Sequence, residues 1–114
     1  MNEIKLESLP DTIKDLELKR LTLENQIFDV YDMLKNIEIP IEIEVADFVD
    51  EKGKSAYSNE KRRENEVYIR LKDNKDYQDL KQRYKKLLGD KDRIKVEIEY
   101  FKNKLEFMLA LEGD

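Results

Sequence analysis

The sequence predicts an all-α fold, an antiparallel hairpin of two long coiled-coil helices with a kinked or broken segment and a short extra helix at the elbow. Two observations carry that expectation. Two tracts repeat apolar residues in alternating steps of three and four, which is the signature of a helix seam. The one stretch that alternates with period two has no comparably strong partner strand.

The first tract runs Leu9, Ile13, Leu16, Leu23, Ile27, Val30, Leu34, Ile37, with Arg20 in the one missing slot. Pro10 suits a first helical turn and Asp11 favours the positive helix start, so a helix is expected over about 10–37. Leu21, Phe28, Tyr31 and Met33 lie beside the seam and would widen it toward a bundle-type stripe. Residues 37–45, IEIPIEIEV, alternate as a strand would, yet Ile41, Val45, Phe48 and Val49 also share one face of a short helix opened by Pro40. A helix kinked or restarted at Pro40, over 38–50, is the preferred reading. A loop is expected at 51–58 with Gly53 as its turn residue, then a helix over 59–72, capped by Ser58 or Asn59 and buried through Val67 and Leu71.

The last tract is cleaner. Tyr77, Leu80, Tyr84, Leu87, Ile94, Ile98, Phe101, Leu105 and Met108 keep one phase, with Lys91 in the skipped position. The phase passes through Gly89 unchanged, so one helix over about 76–111 is expected, capped by Asp73 or Asn74 and stopped at Gly113. Two seams with no third of equal length leave much of each helix uncovered. A homodimer, or docking onto another protein, is the expected consequence.

Composition narrows the chemistry. With no Cys and no His, every triad, zinc site or thiol couple that needs either residue is excluded. Neither a Walker-type nor a dinucleotide-binding glycine pattern occurs. Carboxylates are plentiful, but acid–base work needs a cleft that perturbs them, and a helical hairpin rarely makes one. Asp73 to Asp79 looks superficially like a calcium loop without its glycine turn and terminal glutamate. No enzyme activity, cofactor or metal is expected. With no apolar run of membrane-spanning length and no apolar stretch after Met1, no membrane partner is expected either, and the expected location is a bacterial cytoplasm.

Charge is uneven. Residues 1–51 hold 14 acids and 5 bases, whereas 52–114 hold 13 acids and 17 bases. Glu38, Glu42, Glu44, Asp47, Asp50 and Glu51 form a run without any base and are the candidate protein-partner site, able to imitate a phosphate backbone. The same acids could instead be a solvated face that pairs with Arg62 and Arg63. Tyr57, Arg62, Arg63 and Arg70, with Tyr68, Tyr77, Arg83, Tyr84, Lys85 and Lys86 nearby, are the candidate nucleic-acid set, bases for phosphates and rings for stacking.

The stretch Gly53-Lys-Ser-Ala-Tyr57-Ser-Asn59-Glu60, followed by Arg63, Glu66, Leu71, Tyr77 and Leu80, resembles a set of uncharacterised small helical coiled-coil proteins carried by bacteriophages, prophages and plasmids. The likeness covers about residues 38–105. It implies a mobile-element origin and a role in recombination, assembly or the blunting of a host defence, without specifying an activity. The IEIPIEI run departs from that pattern. Read as a strand, it would suggest a prefoldin-type chaperone subunit, whose second hairpin strand is missing here.

The leading expectation is therefore a non-enzymatic protein-interaction module, with inhibition of a host nucleic-acid-directed defence complex as its concrete form. A single-stranded-DNA accessory protein and a purely structural homodimer are the alternatives.

Overall fold

The computed structural model describes residues 6–113. After a 3-10 turn at Leu6–Ser8 come three helices, α1 (Leu9–Asp47), α2 (Glu60–Lys72) and α3 (Lys75–Gly113). The fold is all-α, and no strand occurs among the described residues. None of these helices is long and apolar enough to cross a membrane. The chain divides into two compact units, one formed by the chain up to Ile27 with the chain from Lys86 onward, the other by Phe28–Lys85. In each, a part of α1 lies against a part of α3.

In the first unit the two helices run antiparallel, since Glu24 reaches Lys91 at 3.6 Å while the earlier Glu17 reaches the later Lys102 at 3.3 Å. Leu9, Leu16 and Ile98 are buried, and Ile13, Leu23, Ile27, Leu87, Ile94, Phe101, Leu105 and Met108 are half-buried. Every apolar seam position of this unit is thus turned inward. Arg20 and Lys91, the two bases in the skipped slots, are handled by a chain of carboxylates. Arg20 donates to Glu17 and Glu24, each at 2.8 Å, and Glu24 also meets Lys91. The paired Arg20 guanidinium, with Lys102, holds the Glu17 carboxyl below the ordinary carboxylate range.

The second unit adds α2 to the pair. Val30, Leu34, Val45 and Tyr77 are buried here, and Ile37, Ile41, Leu80, Tyr84, Val67 and Leu71 are half-buried. Of the expected kink or restart at Pro40, the restart does not occur: α1 is continuous to Asp47 with the proline inside it. Proline removes one intrahelical donor and its ring crowds the previous turn, a cost of about 3 kcal/mol. Burial of the seam beyond it offsets that cost at roughly 1.5–3 kcal/mol for each fully buried side chain, and Val45 is fully buried. The alternating isoleucines are split by the helical period. Ile37, Ile41 and Val45 turn inward, while Ile39 and Ile43 face solvent.

The flanking apolar residues behave differently from expectation. Leu21, Phe28, Tyr31 and Met33 are all exposed, because a seam between two helices covers only its own narrow stripe.

Candidate functional site

The second unit holds a concave surface whose walls are built by local rules. Past α1 the chain turns at Asp50, whose Oδ1 accepts from the Lys52 and Lys54 amides at 2.9 and 3.0 Å. Gly53 supplies the left-handed φ of +76° that this turn requires. A single antiparallel bridge joins Val49 to Ser55, and Phe48 packs on Tyr57 with ring centroids 6.1 Å apart. Of the two expected caps, Asn59 begins α2, its Oδ1 accepting from the Arg62 amide at 2.8 Å. Asn74 caps α3 by accepting from the Tyr77 amide at 2.9 Å, and Gln78 donates to the Leu71 carbonyl at 3.0 Å. These bonds fix where α2 ends against α3.

Between them opens a groove of about 610 Å³. Its apolar lining is Ala46 from α1, Val67, Tyr68 and Leu71 from α2, and Tyr77 from α3. Glu42, Glu60 and Glu64 set acids on the lining, while Arg63, Lys72 and Lys81 set bases. Tyr68 stands 66% exposed at this edge.

One polar contact anchors the groove's inner wall. The Tyr77 hydroxyl donates to Glu38 at 2.5 Å, and Lys35 meets the same carboxylate at 2.9 Å. Burial and the Glu38 charge push the Tyr77 hydroxyl up to about 12. Burial works to raise Glu38 as well, but the hydrogen bonds from Lys35 and Tyr77 outweigh it and hold the carboxyl below its ordinary value. A tyrosine with a raised folded-state pKa stabilises the fold fully below its unfolded value near 10 and loses that contribution as pH climbs toward 12. The glutamate, lowered, contributes above its ordinary 4.5 and loses it as pH falls. Tyr77→Phe is expected to cost about 2 kcal/mol at neutral pH, the value of a charge-assisted hydrogen bond. It should also flatten the alkaline limb of stability. Urea melts of both proteins at pH 8 and pH 11 check this.

The acidic candidates divide among different tasks. Glu38 is spent on Tyr77 and Lys35, and Asp50 on the turn. Glu42 lines the groove, Glu44 lies 3.7 Å from Arg70, and Asp47 and Glu51 are exposed. The nucleic-acid candidates are also dispersed. Arg70 is held by Glu66 at 2.9 Å, which raises its pKa, and Arg63 donates to the Tyr57 carbonyl at 3.2 Å. Tyr57 is half-buried on Phe48, and Arg62 is exposed. The bases that meet the acidic run are therefore Lys35, at Glu38, and Arg70, at Glu44, in place of the expected Arg62 and Arg63.

Lys72, Gln78 and Lys81 belong to this groove and were not among the sequence-derived candidates. The steps 60, 64, 68, 72 and 67, 71 place one face of α2 along it, a pattern visible in the sequence once α2 is known to lie across the pair. No three His, Cys, Asp or Glu side chains converge as a metal-binding set among the described residues. Comparisons with protein-family models, curated proteins and solved structures return no match for this chain.

Proposed function

We propose that this chain is a non-enzymatic protein-binding module whose interface is the groove of the second unit. The observation that carries the reading is an apolar-lined groove, open to solvent, edged by charges of both signs and by an exposed tyrosine. That combination suits the apolar face of a partner helix, with charged edges setting its register. Exposed Glu42, Glu44 and Asp47 give the adjoining face of α1 an acidic character, which suits a partner with a basic surface. A host complex that grips nucleic acid has such a surface, and the resemblance to mobile-element proteins favours inhibition of a defence complex of that kind.

Protonation supports a non-catalytic role. Each group whose proton affinity the fold clearly shifts moves away from neutrality: Glu17 and Glu38 go down, while Tyr77, Lys35, Arg20 and Arg70 go up. General acid–base work at neutral pH wants the opposite.

The test is a photo-crosslinking residue installed at position 68 of the full chain, used as bait in bacterial lysate. A stoichiometric protein adduct, not formed from the same residue at position 19, is expected. Tyr68→Ala should then weaken the isolated complex about tenfold, as truncation of an interfacial aromatic does. No protein adduct, combined with salt-sensitive retention of single-stranded DNA lost in Arg62→Ala/Arg63→Ala, would replace this reading with the nucleic-acid one. A purely structural homodimer predicts neither result.

A further inference from the structure

Within the second unit the three helices are held very unequally. Val30, Leu34 and Val45 of α1 and Tyr77 of α3 are buried, whereas α2 has no buried residue along its 13 positions. Of its apolar side chains, Val67 and Leu71 are half-buried, and Tyr68 and Ile69 stand 66% and 52% exposed. Its polar ties outward are slight. Arg70 engages Tyr57 and lies 3.7 Å from a Glu44 side chain that is 69% exposed, and exposed ion pairs of this kind contribute little. Arg63 reaches the Tyr57 carbonyl of the loop that leads into the helix, and Gln78 holds the last turn at the Leu71 carbonyl.

What forms α2 is local. Asn59 caps it, Glu60 sits in its first turn, Arg70 and Lys72 sit in its last, and Glu66 pairs with Arg70 at 2.9 Å. Such signals let a helix form, but one of this length is marginal in water unless it buries an apolar face.

We infer that α2 is a locally folding arm, which opens and re-forms while α1 and α3 stay paired. An element with few buried apolar contacts opens at far lower free energy than the seam that carries the core. Asp73 and Asn74 alone join it to α3, and Asn74 caps α3 itself, so α3 keeps its own start when α2 melts. The consequence falls on the groove. Seven of the twelve residues on its lining come from α2, so the groove exists while the arm is formed and is dismantled when it opens. An occupant that touches α2 therefore orders the arm as it binds. That coupling rests on the reading of the groove as a binding site; the opening of the arm does not.

Native-state hydrogen exchange on the full chain tests the arm. Amides of 64–72 are expected to exchange about 100-fold faster, or more, than those of 30–37 and 80–85. Their rates should rise little with urea, whereas those of the seam rise steeply, because local opening exposes little surface. Asn65 is exposed and off the groove lining, so Asn65→Ala strengthens the helix through propensity. It should slow exchange of 64–72 about threefold and leave the rates of the seam unchanged. One common rate and urea slope for all three helices, or an Asn65→Ala effect shared equally by the seam, would overturn the proposal. In the adduct captured at position 68, exchange of 64–72 should fall to the rate of the seam, and an unchanged rate there would remove the coupling. Absence of any adduct sinks the groove reading and the coupling with it, while the opening of the arm is still decided by the exchange rates of the free chain.

Discussion

Val30→Asp is expected to destabilise the second unit by about 4 kcal/mol or more, enough to remove most of the margin of a small domain. Val30 is 1% exposed on the inward face of α1, and its seam neighbours along the helix are Ile27 and Leu34. An aspartate there must either ionise in an apolar seam or take up a proton to remain neutral. Both outcomes cost free energy that folding has to supply. Met33→Asp is the matched control. It lies three residues further on but is 46% exposed, so its effect should stay within about 0.5 kcal/mol. Urea melts followed by circular dichroism compare the two. Superimposable melts would mean that the seam does not hold α1.

The second large effect has the opposite sign. Arg20→Leu combined with Lys91→Leu should stabilise the first unit by about 2 kcal/mol, because leucine in each slot buries apolar surface, whereas the part-exposed ion pairs it removes contribute at most ~1 kcal/mol each. Both positions fall in the phase of their tracts, and Arg20 lines the same shallow surface as Ile98, so leucine there extends an existing apolar row. Their carboxylate partners can remain hydrated, since the side chains of Glu17 and Glu24 are 33% and 32% exposed. Glu17 also keeps Lys102. A thermal melt shifted upward is the expected result. A downward shift would show that the chain of charges from Lys102 through Glu17, Arg20 and Glu24 to Lys91 contributes more than leucine packing can replace.

These two outcomes differ because burial, more than residue type, decides the energy of a seam position. The periodicity of the two tracts identified the inward faces correctly at every apolar seam position from Leu9 to Met108, since a two-helix contact selects residues by the 3.6 period alone. The turn at Gly53 was equally readable, and each cap was narrowed to two neighbours, Ser58 or Asn59 and Asp73 or Asn74, of which the hydrogen bonds single out the asparagines. Pro40 was harder. Its local cost is fixed by the ring, but the compensating burial of Val45 depends on packing that no nearby residue announces.

The candidate site shows the same division. Acidity of the 38–51 run is a property of composition, whereas the uses of its members are not. Glu38 bonds a tyrosine 39 residues away, and Glu44 meets an arginine on another helix. The sequence alone determined the helical class, the two seams, the chain reversals and the uneven charge, because each follows from interactions within a few residues or from a repeating step. Only the tertiary structure decided that α1 runs on past its proline, that α2 lies where a groove opens beside Tyr77, and which charges remain unspent, because all three depend on which distant surfaces exclude water from one another.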